Sequence, residues 1–126
     1  MRESTLHTFQ TVAKVLIAEH LGRKWKFRWH NGLSSYGICD FDNKVISMSK
    51  PLTMAGTLRE AKDTLMHEVI HGMTPDEPGH GPEWRELCVR MGVNPIKGKW
   101  ETTIEKLRKK VLCAKKRRVK NKRRNK

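Results

Sequence analysis

The charge of this 126-residue chain is concentrated at one end, which limits where a hydrophobic core can form. Residues 97–126 contain 15 Lys and Arg against two Glu, a net charge of +13, whereas residues 1–96 carry only +1. A block of like charges repels itself and cannot be buried, so its default state is a solvated arm. We therefore predict one folded domain over residues 1–96 and a basic tail over residues 97–126.

The basic tail has the composition of a segment that binds polyanions. Thr102 and Glu105 have the spacing of a helix capping box, so a short helix is expected before the chain becomes disordered. The density of Lys and Arg favours contact with DNA or another nucleic acid over a purely solubilising arm or a localisation signal.

The first half of the chain has the pattern of a helix followed by three strands. Apolar residues recur at helical spacing over residues 5–21, and Gly22 is placed to end that helix. Strands are predicted at residues 24–30, 36–40 and 44–49. We predict an α+β fold in which a small three-stranded antiparallel sheet has helices packed on one side. In the first strand, Trp25, Phe27 and Trp29 alternate with polar residues, which favours a core face over a base-stacking platform.

The second half is predicted to contain two further helices before the tail. The first runs over residues 57–72 and places an apolar arc opposite His67 and His71. The members of that arc are Leu58, Ala61, Leu65, Met66, Val69 and Ile70. Pro82 opens the next helix, which is expected to stop at Gly92 and to place Trp84 behind His80 as a support.

The segment His67-Glu68-Val69-Ile70-His71 fits the pattern H-E-x-x-H within the first of these helices. Side chains four residues apart are neighbours on a helix, so both imidazoles can reach one zinc ion from a single rigid element. Glu68 can address a water on the metal without binding the metal itself. Zinc lowers the pKa of such a water to about 7, and a carboxylate that takes its proton produces a nucleophile for amide hydrolysis.

A catalytic zinc site needs a third protein ligand and leaves one position open. His80, nine residues after His71, lies in a segment rich in Gly and Pro that lets the backbone approach the metal. A glutamate from the next helix, Glu83 or Glu86, competes with it for that role. The metzincin pattern is excluded, because it requires Gly at position 74 and His at position 77, where this chain has Thr and Glu.

Together, these motifs resemble the SprT-like family of zinc metallopeptidases. The resemblance rests on three features: the strand pair around Gly37, the H-E-x-x-H helix and the segment His80-Gly81-Pro82-Glu83-Trp84. The resemblance implies one Zn²⁺ per chain on His67, His71 and His80, with Glu68 as general base. It also implies a peptidase that acts on protein associated with or crosslinked to DNA, as Spartan relatives do. A four-cysteine zinc ribbon found in many members is replaced here by Lys and Arg.

Two other functions compete with a zinc endopeptidase. A non-catalytic nucleic-acid-binding protein with a structural zinc site would have no use for the Glu68 carboxylate. A metal-dependent nuclease would hold magnesium with clustered carboxylates, whereas this site is rich in histidine.

The remaining sequence features bear on the cellular compartment of the protein and on its relation to membranes. Its three cysteines, Cys39, Cys88 and Cys113, are scattered, which favours a reducing compartment over a disulfide framework. There is neither an apolar run long enough to span a membrane nor the pattern of a signal peptide at the N-terminus. We expect a cytoplasmic monomer that makes no membrane contact, with a nucleoid or nuclear location as the alternative that the tail suggests.

Overall fold

The computed structural model describes residues 1–76, 80–93 and 97–124 and has the predicted α+β architecture. Pro78 and Gly79 of the predicted loop before His80, and residues 94–96 ahead of the predicted tail, lie outside the described residues. The elements are α1 (Glu3–Leu21), β1 (Lys26–His30), β2 (Gly37–Asp40), β3 (Val45–Ser49), α2 (Lys50–Ala55), α3 (Leu58–Met73), α4 (Pro82–Arg90) and α5 (Lys97–Arg124).

The sheet is mixed, and the prediction that all three strands are antiparallel is wrong. The strand order is β1-β3-β2, with β2 antiparallel to β3 and β1 parallel to it. β3 takes the central position because four of its five residues are buried, whereas β1 and β2 are partly exposed. Residues 31–36 carry the chain past β3, so β1 and β2 occupy opposite edges and do not form a hairpin. Ser49 fixes this connection, since its hydroxyl donates to the Gly32 carbonyl at 2.6 Å.

The main core lies where α1 and α3 pack on the sheet. Phe9 of α1 contacts Phe27 and Trp29 of β1, with ring centroids 6.4 and 6.1 Å away. The indole N–H of Trp29 donates to Gln10 Oε1 at 2.8 Å, which joins the strand to the same helix. The aromatic residues of β1 therefore pack against the core, as their alternation predicted.

Two helices differ from the prediction. The short helix α2 was not predicted, because Pro51 was interpreted as the end of the sheet region. Pro51 instead occupies the first turn of α2, and the Ser49 hydroxyl caps that turn by accepting from the Leu52 N–H. α5 begins at Lys97 and continues to Arg124, which is longer than the short helix expected there.

The start of α5 is packed against the rest of the protein. Leu107 is completely buried in the main core, and Arg108 Nε donates to the Leu33 carbonyl at 2.8 Å. The division of the chain at residue 97 stays a prediction, but the packed body includes this part of α5. None of the helices in the described ranges combines the length and apolar character that a membrane span requires.

The packing of α5 predicts unequal effects of two leucine truncations in the same helix. Leu107→Ala removes a fully buried side chain and should lower the free energy of unfolding by about 2–5 kcal/mol. Leu112→Ala, at a side chain that is 43% exposed, should change it by less than about 0.5 kcal/mol. Urea unfolding followed by tryptophan fluorescence measures both values. Equal effects of the two variants would mean that α5 does not pack on the core.

Candidate functional site

The helix α3 supplies three of the predicted site residues. It begins with a complete capping box, in which the Thr57 hydroxyl accepts from the Glu60 N–H and the Glu60 carboxylate accepts from the Thr57 N–H. This fixes the start of the helix and therefore the direction of its side chains. His67 is buried at 5% exposure, and His71, one turn later, is half-buried. The face of α3 that carries the histidines is therefore covered at His67 by the rest of the protein.

His80 reaches the same place from outside α3. Its ring centroid is 5.0 Å from that of His71, and its carbonyl accepts a hydrogen bond from Arg85 Nε at 3.0 Å. Two imidazoles on one tetrahedral zinc ion have centroids about 5 Å apart, since Zn–N distances are about 2.0–2.1 Å. The observed ring spacing therefore fits a shared ion.

Trp84 is in contact with all three histidines. Its ring centroid is 5.4 Å from that of His67, 5.0 Å from that of His71 and 4.4 Å from that of His80. The contact with His71 is a stack with an interplanar angle of 22°. We call His67, His71 and His80 the imidazole cluster. The support that Trp84 was predicted to give His80 is confirmed, and it extends to the other two rings.

The surroundings of His71 favour its neutral form. Burial, together with charge on His80 and His67, lowers the pKa of His71 to about 4. The neutral imidazole has the free lone pair that a metal ion requires. The donor chemistry of the cluster therefore fits zinc at neutral pH.

The three imidazoles contact the same indole, but their present arrangement is not that of a metal site. In the described part of the chain, no group of three or more His, Cys, Asp or Glu side chains is arranged to hold a metal ion as it stands. His67 Nε2 instead lies 3.3 Å from Asp63 Oδ2, one turn earlier on α3. Binding an ion in the cluster thus requires the side chains to rearrange, although the His71 and His80 rings already have a suitable spacing. Asp63 precedes His67 by four residues, a spacing that places both side chains on the same face of α3.

Glu68 lies where α3 passes beneath β2. A Cβ added at Gly37 would come within 2.8 Å of Glu68 Cγ, so the missing side chain at Gly37 permits this close approach. Burial raises the pKa of Glu68 to about 7. Burial, followed by the charges of Glu68 and Asp40, likewise raises the pKa of the Cys39 thiol on β2 to about 12. A carboxyl group with a pKa near 7 can both accept and release a proton under physiological conditions.

The competing ligands of the sequence analysis lie elsewhere on α4. Glu83 and Glu86 are exposed and line a groove of about 260 Å³ with Met73 at the end of α3 and with Thr74, which follows it. Glu86 forms an ion pair with Arg90 at 2.8 Å. The geometry therefore favours His80, rather than Glu83 or Glu86, as the third metal ligand beside His67 and His71.

Comparison with protein families identifies the chain. The model of the SprT-like family matches residues 6–108, which include most of α1, the sheet, the imidazole cluster and the start of α5. Comparisons with curated proteins and with solved structures find no match. Since the family match covers most of its length, the chain belongs to the SprT-like family.

Proposed function

We propose that this protein is a zinc-dependent metalloendopeptidase that cleaves protein associated with or crosslinked to DNA. The observation that carries the proposal is the 5.0 Å approach of the His80 and His71 rings from separate parts of the chain, with His67 in contact with the same indole of Trp84. Gathered imidazoles suit a metal site of either kind, and the Glu68 carboxylate beside His67 favours a catalytic site over a purely structural one. Membership of the SprT-like family supports the same reaction class.

The residues that would hold the metal are His67, His71 and His80. A zinc ion held by three imidazoles supplies Lewis acidity, which polarises a carbonyl group and acidifies water. The chain itself supplies the proton chemistry through Glu68, whose carboxylate accepts a proton from the attacking water and returns it to the leaving amine. The carboxylate lies between α3 and β2, directly after His67 in the chain and outside the proposed ligand set.

The position of β2 supports a peptide as the substrate. β2 is an edge strand, and within the described residues it pairs with β3 alone. An extended peptide can add to such an edge through backbone hydrogen bonds. Because β2 passes directly over Glu68 at Gly37, a peptide lying on its free edge has its backbone near the proposed base.

The basic part of α5 supports nucleic acid as the partner that brings substrate to the enzyme. In the last turns for which side chains are described, Lys115, Lys116 and Arg117 are all exposed. Lys and Arg on one helix bind phosphates with little preference for base sequence.

The proposed metal site predicts the zinc content of two variants. The wild-type protein should hold about one zinc per chain, measured by atomic emission after dialysis. His80→Ala should lose most of it, because only two protein ligands remain. Glu83→Ala, at an exposed neighbour on α4, should keep it and serves as the control. The assignment of His80 is wrong if Glu83→Ala loses the zinc and His80→Ala retains it.

The role of Glu68 predicts a separation of metal binding from catalysis. Glu68→Gln keeps the shape of the side chain but removes its basicity, so zinc should remain while peptide cleavage falls by about 10²–10⁴-fold. Glu83→Gln is the matched control and should cleave at the wild-type rate. Cleavage is measured on a DNA-bound basic protein, with and without DNA. Unchanged activity in Glu68→Gln excludes it as the base, and a wild-type protein that holds zinc but cleaves nothing favours the structural-zinc alternative.

The role of α5 predicts a change in the salt dependence of DNA binding. Replacing Lys115, Lys116 and Arg117 by Gln should weaken binding to duplex DNA and reduce the slope of log K against log salt by about 3, or about one for each phosphate contact. The control replaces Arg23, Lys24 and Lys26, three exposed basic residues near β1. Fluorescence anisotropy at several salt concentrations measures both. A larger effect of the control would place the nucleic-acid surface on β1.

A further inference from the structure

We propose that Trp84 is a positioning residue for the imidazole cluster, whose indole keeps the three rings gathered on one surface before a metal ion binds. The inference rests on the proposed function, since it assigns Trp84 a role in the affinity of the proposed zinc site. It goes beyond a supporting contact to His80 alone, because all three proposed ligands touch the same ring system.

The indole is itself held in place. Trp84 is completely buried in a second core cluster with Ile70, Cys88 and Val93. Its Nε1–H donates to the His67 carbonyl at 3.4 Å, which joins α4 to the backbone of the H-E-x-x-H segment. A ring fixed by packing on one side and by α3 on the other presents an immobile surface to the histidines.

The contacts with the histidines differ from ordinary core packing. All three imidazole centroids lie within 5.4 Å of the indole centroid. Imidazoles that share a metal ion carry part of its positive charge, and the face of Trp attracts positive charge within about 6 Å. The indole therefore orders the imidazole rings by contact before a metal ion binds. It also stabilises the positive charge that the rings acquire when they bind the ion. An aliphatic side chain of similar volume supplies neither the stacking surface nor the attraction.

The test compares Trp84→Leu and Trp84→Phe with Leu52→Ala, which removes a completely buried side chain of the main core. Each full-length protein is titrated with Co²⁺, and the dissociation constant and the d–d absorption spectrum are recorded, with urea unfolding of the metal-free form alongside. Trp84→Leu should weaken Co²⁺ binding by about 10- to 100-fold and alter the spectrum. Trp84→Phe, which keeps an aromatic face, should restore most of the affinity. Leu52→Ala should bind Co²⁺ within about threefold of wild type, although it is less stable.

A Trp84→Leu protein that binds Co²⁺ within threefold of wild type overturns the role of Trp84 and leaves the proposed function standing. Equal weakening in Leu52→Ala overturns it too, because the effect is then one of general stability. A wild-type protein that binds neither Co²⁺ nor Zn²⁺ overturns the proposed function, and this inference with it.

A measurement without metal covers the case in which Trp84→Leu does not fold. In the metal-free wild-type protein, nuclear Overhauser effects should connect the indole protons of Trp84 with ring protons of His71 and His80. Their absence overturns the proposal.

Discussion

The structure depends on the packing of α3 against both core clusters. Leu65 and Val69 belong to the main core with α1 and the sheet, whereas Ile70 belongs to the smaller cluster with α4. A helix that is buried on two sides has little freedom to rotate or slide. His67, between these two contacts, is consequently buried as well. Burying an imidazole is costly unless its polar atoms are satisfied, and the Asp63 carboxylate lies 3.3 Å from Nε2 of this ring.

The same packing explains why the catalytic candidate and the proposed ligands have different surroundings. Glu68 is one residue from His67, and the helical rotation of about 100° turns it toward β2. It therefore lies against a strand, where Gly37 leaves room for it, while the imidazoles lie against the indole of Trp84. One face of a single turn thus meets the sheet, and the neighbouring face meets α4. This separation allows a base and a metal site to be adjacent without the carboxylate entering the ligand set.

The positions of the helices and strands were easier to predict from the sequence than the way in which the strands pair. The helix α3 was predictable because its apolar arc and H-E-x-x-H segment agree on one periodicity, and the strand positions followed from alternation. The parallel pairing of β1 with β3 was not predictable, since it depends on how residues 31–36 cross the sheet. α2 was missed because Pro51 can either end a segment or begin a helix, and the cap from Ser49 decides in favour of the helix. The contacts of Trp84 with His67 and His71 depend on how α4 docks on α3, which no local pattern encodes.

The charge of the tail led to an underestimate of the length of α5 for a physical reason. Repulsion among Lys and Arg disfavours a compact state, but both residues are good helix formers, and a helix keeps their side chains in water. The packing of Leu107 anchors the helix, which then extends about 25 Å from that residue to Arg124 at 1.5 Å per residue. If α5 binds nucleic acid as proposed, the phosphates are held at a distance from the core that the helix sets, because the basic segment continues from a buried anchor. A flexible arm would let the bound strand sample many positions, whereas a helix fixed at Leu107 restricts which part of a DNA-bound protein can reach Glu68.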